Sequence, residues 1–211
     1  MGSITQPYQT KNESPITDIH DFLNRVLDVL DDSSDLDLSV AAVTCIDSIG
    51  AKFGRKDPGS LITATRMIAK PPIFDNEEDR LKIVTLLCLA SLIDVLKEKF
   101  IPLSTQILPL SISHLGRSIE AGIDSIELHD AAISLLSAVL EHIPYILSIF
   151  DLNKILHLIQ VSANSALSRS AAESRKLIYH LIVQNVDDGP CFKVIENLSK
   201  GAIVTGYVVS L

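Results

Sequence analysis

Residues 76–102 constrain the fold more than any other stretch of the chain. Read as one helix, Leu81, Ile83, Val84, Leu86, Leu87, Leu89, Ala90, Leu92, Ile93, Val95 and Leu96 cover most of its circumference, and only Ser91, Asp94 and Glu98 form a polar stripe. A helix apolar on so many sides must be buried on as many, so Leu87 is expected between neighbouring elements with the rest. Asp75 followed by Glu78 has capping-box spacing, and Pro102, which cannot donate to a helical ladder, marks the end. The pattern returns further on. Ser134, Ser137 and Glu141 form the thin polar stripe of a second apolar helix that stops at His142, Ile143 and Pro144, which points to a repeat.

Composition favours helices. Hydrophobic residues make up 47% of the chain but aromatics only 5%, with no tryptophan, a balance suited to close helix packing rather than to a β-sandwich. The uncharged apolar runs near residues 83–93 and 131–140 are too short to span a bilayer, and the amino end lacks the cationic, apolar and small-residue succession of a secretory signal. Cys45, Cys88 and Cys191 are odd in number and far apart, which favours a reducing compartment over a disulfide framework and matches no zinc spacing. The net charge is −8. The first fifty residues hold two basic and nine acidic side chains, and the next fifty hold nine and seven. An acidic chain of this kind is not, as a whole, an electrostatic nucleic-acid binder.

Taken in order, residues 1–16 read as a loose polar arm. Thr17 can cap a helix whose buried face is Phe22, Leu23, Val26, Leu27 and Leu30. An acidic turn at residues 31–35 leads to a helix over 36–53, with Val40, Val43, Ile46 and Ile49 inward and Gly54 placed to end it. Asp57 and Pro58 suit the cap and first turn of the next helix, which Pro71 and Pro72 stop. After Pro102 a helix over about residues 104–120 contains Pro109, expected to kink or divide it, and its partner covers 125–142. A short turn at 144–150 precedes a helix capped by Asp151, then one over 168–186, a break at Gly189 and Pro190, and a short helix over 190–200. Pro58, Pro102 and Pro144 are 44 and 42 residues apart. With two helices per unit, that period predicts an all-α, HEAT/armadillo-like α-solenoid of about four helical pairs. The units fall at about residues 17–56, 57–100, 101–143 and 144–188, followed by the short helix, between the arm and an apolar tail at 201–211.

At this point particular residues carry a resemblance. The run Cys45, Ile46, Asp47, Ser48, Ile49, Gly50, Ala51, Lys52, Phe53 and Gly54 leads to Asp57 and Pro58. Leu87, Cys88, Leu89 and Ala90 follow, then Ile101, Pro102 and Leu103, then Leu108, Pro109 and Leu110. Together they resemble the middle region of the U3 small nucleolar RNA-associated HEAT-repeat family, the HEAT repeat-containing protein 1 type, most clearly over residues 45–115. These are packing motifs. The resemblance implies an internal stretch of a very long solenoid, a non-catalytic scaffold of the nucleolar small-subunit processome. Such a scaffold supports pre-ribosomal RNA transcription and its processing to small-subunit RNA. It implies residence in the nucleus and nucleolus, and as partners the proteins of the early processome, extending to U3 or pre-ribosomal RNA, with no membrane and no small-molecule substrate. The helical pattern alone leaves a second function open: a transport or regulatory adaptor presenting a groove to a peptide or protein.

No catalytic, cofactor or metal site is expected. Gly54 and Gly59 have the spacing of a phosphate-binding loop, but Ser60 and Leu61 stand where Lys and Ser or Thr are required. His20, His114, His129, His142, His157 and His180 lie on different predicted elements with no i, i+4 pair, and are expected at helix ends or on the surface. Cys45 and Cys88 read as small apolar residues. The candidate contact is basic: Lys52, Arg55 and Lys56 near the turn into the second pair, with Arg66 and Lys70 on the adjacent helix, facing RNA backbone or an acidic partner. A solvated turn would carry the same charges. Arg169, Arg175 and Lys176 form a lesser candidate. No aromatic residues accompany the basic groups to stack on bases. Asp28, Asp31, Asp32, Asp35 and Asp37 would suit a basic protein tail, or simply keep a corner soluble.

Overall fold

A computed structural model of the chain describes residues 19–32, 35–163 and 168–199. The expected arm and tail lie outside these residues. Among the described residues ten α-helices follow one another: α1 (Ile19–Asp32), α2 (Leu36–Phe53), α3 (Pro58–Ile68), α4 (Pro71–Phe74), α5 (Asp79–Leu96), α6 (Ile101–Ala121), α7 (Ile126–His142), α8 (Ile149–Ser162), α9 (Ser168–Asn185) and α10 (Asp188–Ser199). No strand occurs among the described residues.

The helices form two layers. In one, α2 packs on α5, α5 on α7 and α7 on α9; in the other, α1 packs on α3, α6 on α8 and α8 on α10. Each layer is cross-linked to the other within pairs, α1 on α2, α3 on α5, α6 on α7 and α8 on α9. This is translational order, and the protein is an all-α solenoid. Its core runs the length of the stack: Val43 and Ile46 of α2, Leu86, Leu89 and Leu92 of α5, and Leu135, Leu136 and Leu140 of α7 are fully buried.

Polar ties between successive units repeat the period seen in the prolines. The His20 ring meets Ser60, Asp31 pairs with Lys70, Asp37 with Arg80, the Phe74 carbonyl with His114, Asp75 with Arg117, and Asp94 with His142. Each joins residues 39 to 48 positions apart. His20–Ser60 links the starts of α1 and α3 and Asp31–Lys70 follows at their ends, so these helices run parallel. Ion pairs this exposed contribute at most about 1 kcal/mol each. Their effect is on register, while burial of the aliphatic core supplies the stability.

Several local expectations give way to longer-range contacts. Asp75 does not cap α5: it accepts from Arg117 at 2.7 Å, while the Asn76 side chain accepts from Glu78 N at 2.9 Å. Glu78 is the residue at the cap and makes no side-chain cap bond. Asp151 is the fourth residue of a capping box whose cap is Ser148: the Asp151 amide donates to Ser148 Oγ and the Ser148 amide donates to Asp151. Pro109 lies inside a continuous α6. It and Thr105, whose carbonyl it deprives of a donor, are both exposed, so water can serve that carbonyl. Pro102, Pro71 and Pro190 stand in first turns, where a missing N–H costs nothing, so they open helices as much as they close the preceding ones.

Gly54 ends α2 in right-handed backbone, φ −61°, so a left-handed turn does not explain it. Space does. A Cβ on Gly54 would lie 2.6 Å from Val95 Cγ1 and closer still to Leu61, and one on Gly50 would lie 2.7 Å from Leu92 Cδ2. Two glycines four residues apart let α2 approach α3 and α5. The left-handed region is used elsewhere. Lys97, φ 49°, and Gly122, φ 77°, follow α5 and α6, and each opens a four-residue 3-10 turn, Lys97–Phe100 and Gly122–Ser125.

Two buried assignments also change. Ser137 belongs to the interior of α7, not to its polar stripe, and Leu87, expected inside, is 46% exposed. Several serines and threonines enter the core by bonding back to their own helices, Thr65 to Leu61 O and Ser111 to Ile107 O, both at 2.7 Å, whereas the Thr85 and Ser137 hydroxyls are buried without a partner among the described residues. A hydroxyl satisfied in this way costs little to bury.

Candidate interaction surfaces

The basic turn is built by helix termination. Past Phe53 the chain turns through Lys56 N to Phe53 O at 2.8 Å, and Asp57 then caps α3, accepting from Ser60 N at 3.1 Å and from the Ser60 hydroxyl. These bonds, the hydroxyl first, hold the Asp57 carboxyl below its ordinary range. Lys52, Arg55 and Lys56 therefore extend into solvent from a fixed turn. All three are exposed and form no ion pair among the described residues. Arg66 is exposed as well, but α3 carries it about 12 Å along the axis from Pro58, at 1.5 Å per residue. Lys70 lies beyond it and pairs with Asp31 at 3.7 Å. The five expected residues thus divide into a turn of three and a distant pair. In the lesser candidate, Lys176 pairs with Glu173 at 2.8 Å, and the side chain of Arg169 lies outside the described residues.

The acidic stretch is largely committed to structure. The Asp35 side chain accepts from Asp37 N at 2.9 Å and Leu38 N at 3.4 Å, while Asp37 and Asp31 make the ties to Arg80 and Lys70. The side chain of Asp32 lies outside the described residues.

The histidines depart from expectation at two positions. His114 and His129 are fully buried, not at helix ends or on the surface. His114 Nε2–H donates to Phe74 O at 2.9 Å and its ring meets Phe74 edge-on at 5.3 Å, leaving Nδ1 without a partner; burial pushes its pKa down. His129 Nδ1 lies 3.1 Å from Asp130. His20, Ser60 and Asp57 form a chain, but the Ser60 hydroxyl donates to Asp57 and so accepts from the His20 ring. A serine nucleophile needs the opposite sense, a hydroxyl donating to histidine. Burial and the nearby Asp47 push the Cys88 thiol far up, which suits a packed apolar residue. No group of three His, Cys, Asp or Glu stands where it could hold a metal ion, among the described residues.

The sequence reading missed the outward face of α2, α5 and α7. Its central line on α5 is Arg80, Leu87 and Asp94, seven residues apart, with Leu87 the one exposed leucine of that helix. The fourteen-residue spacing of Arg80 and Asp94, with Leu87 midway, was the available signal.

Fold and surface together define a helical solenoid built from successive pairs. The comparisons then give the family. U3 small nucleolar RNA-associated protein 10 of Aspergillus oryzae is 37% identical over 186 residues, covering 88% of this chain. The protein of the same name from Aspergillus fumigatus is 35% identical over 99% of the chain, and that from Aspergillus clavatus 42% identical over 69%. The chain belongs to this U3 small nucleolar RNA-associated family. It spans only about a tenth of the length of these relatives, 10%, 12% and 8% respectively. No family model and no solved structure matches it.

Proposed function

We propose that the chain is a non-catalytic scaffold element of the nucleolar small-subunit processome, in the nucleus, where it supports pre-ribosomal RNA transcription and processing to small-subunit RNA. The observation carrying this reading is the match of 35% identity across 99% of the chain to a protein named for association with U3 small nucleolar RNA. A stack whose polar groups are spent on caps and ties between units suits holding partners rather than transforming a substrate. The repeat units at residues 17–56, 57–100, 101–143 and 144–188, with the short helix at 190–200, are the modules of this scaffold. Its partners are proteins of the early processome. The fixed turn of Lys52, Arg55 and Lys56 contacts RNA backbone, since three exposed cations on one turn, with no ion pair among the described residues, attract phosphate independently of base sequence.

Cross-linking of the full-length protein in its native particle tests this. The expected result is links to processome proteins and links from the basic turn to U3 or pre-ribosomal RNA. The triple variant K52E/R55E/K56E should lose the RNA links and keep the protein links. Recovery of nuclear-transport factors in place of processome proteins would overturn the scaffold reading in favour of an adaptor.

A further inference from the structure

The face that α2, α5 and α7 turn to solvent combines an aliphatic centre with one-sided charge. Leu87, 46% exposed, is flanked by the half-buried Ile83, Val84 and Ala90. The neighbouring helices offer short side chains around it. Their hydroxyls are turned inward: Thr44 donates to Val40 O at 2.8 Å, Ser48 to Thr44 O at 3.1 Å, and Ser134 to Asp130 O at 2.8 Å. The donors of these hydroxyls are therefore spent on their own helices. Over α2 lies an open cavity of about 660 Å³ lined by Val40, Ala41, Thr44, Cys45 and Ser48, with Asp37 and Arg80 also on its wall.

The rim is acidic. Asp37, Asp94, Glu127, Asp130 and Glu141 stand exposed on the three helices, against Arg80 and, at the end of α2, Lys52. Arg80 is already bound to Asp37, and the His142 ring lies 3.3 Å from one oxygen of Asp94. In the seam between α2 and α5, Asp47 has one carboxylate oxygen buried with no hydrogen-bond partner among the described residues, and its charge is felt by Cys88 of α5. A carboxylate held in this way has negative charge that its own surroundings leave uncompensated, and a cation at its exposed edge would relieve it. The face is thus apolar in the middle, short of cations and in part under-bonded, an arrangement that repels phosphate and anionic lipid alike.

We propose that this face docks a cationic protein segment, with an aliphatic side chain seated beside Leu87 and lysine or arginine side chains reaching Asp47, Asp94 and Glu141. Aliphatic contact supplies affinity, and charge complementarity supplies selection among partners. The proposal goes beyond the scaffold reading and does not depend on the nucleolar assignment, because it is read at a different surface from the RNA contact.

The test is a titration of the chain, followed by backbone amide NMR in physiological salt, with three probes: an amphipathic leucine–lysine peptide, its leucine–glutamate counterpart and oligouridylate. The leucine–lysine peptide should bind and shift amides of α2, α5 and α7 around Leu87. The double variant L87S/E141Q, altered only at exposed positions, should keep its thermal midpoint and bind about tenfold more weakly, equivalent to about 1.4 kcal/mol. V161S, on exposed Val161 of α8 in the other layer, should bind as the parent does. Equal binding of the leucine–glutamate peptide, oligouridylate shifting the same amides, shifts centred elsewhere, absent binding or an unaffected L87S/E141Q variant would each overturn it. Loss of RNA cross-links at the basic turn would leave this result untouched.

Discussion

Gly54 faces Val95 so closely that a methyl group in place of its hydrogen would lie 2.6 Å from Val95 Cγ1. The contact joins the end of α2 to the last turn of α5. Gly54→Ala must push the two helices apart or force Val95 and Leu61 from their rotamers, so it should cost about 1–3 kcal/mol, as overpacking typically does. Chemical denaturation checks it. Gly50→Ala clashes only with the end of the Leu92 side chain, its contacts with Leu61 being of ordinary length, and should cost less.

Leu86 and Leu87 are adjacent in sequence and opposite in environment. Leu86 is fully buried, whereas Leu87 is 46% exposed. Leu86→Asp buries an unpaired charge and should cost at least about 3 kcal/mol. Leu87→Asp, which the apolar count of α5 would also place in the core, should cost under about 1 kcal/mol, as surface substitutions do. Thermal unfolding of the two variants side by side distinguishes the environments.

The difference shows what was legible in the sequence and what was not. The order of helices and their pairing could be read because Pro58, Pro102 and Pro144 recur at one period and stand in first turns, where a missing N–H costs nothing. The exposed stripe of α5 could not be read by counting apolar residues, because a stack covers a helix on its flanks but leaves its outward face open. Arg80 and Asp94 mark the middle of that face. Asp75 illustrates a second limit: local spacing suits a cap, but its partner Arg117 lies 42 residues away. Lys52, Arg55 and Lys56 could be grouped from the sequence because one turn holds them, while Arg66 and Lys70 were grouped with them before the length of α3 separated them.

Lys97 and Gly122 occupy equivalent points after α5 and α6, both with positive φ. At Lys97 a side chain is forced into backbone that favours glycine, a strain of about 1 kcal/mol or more. Lys97→Gly should therefore raise stability by about 1 kcal/mol, shifting the thermal midpoint upward by about 2–4 °C for a domain of this size. Gly122→Ala should lower stability by about the same amount, even though a Cβ there would meet nothing. Paired calorimetric scans test both signs.

His114 predicts a pH dependence. It is buried as a neutral ring, and Asp75, Arg117 and Lys82 are the charged groups near it. Its folded pKa is lowered by burial, so the unfolded chain binds the proton more readily. Stability from this residue is complete above the unfolded value of about 6.5 and is lost as pH falls from there through the folded value. His114→Gln, which keeps an N–H for the Phe74 carbonyl, should flatten the stability profile below about pH 6.5. An unchanged slope would show that His114 does not titrate with folding.

Linear order of the α2, α5, α7 and α9 layer is the central claim, and methyl-resolved nuclear Overhauser contacts test it most directly. The account predicts contacts between Ile46 or Ile49 and the leucines of α5, between α5 and α7, and between α7 and the Leu181 region of α9, with none joining α2 to α9. A network of contacts between α2 and α9 would mean a closed bundle and would contradict the solenoid.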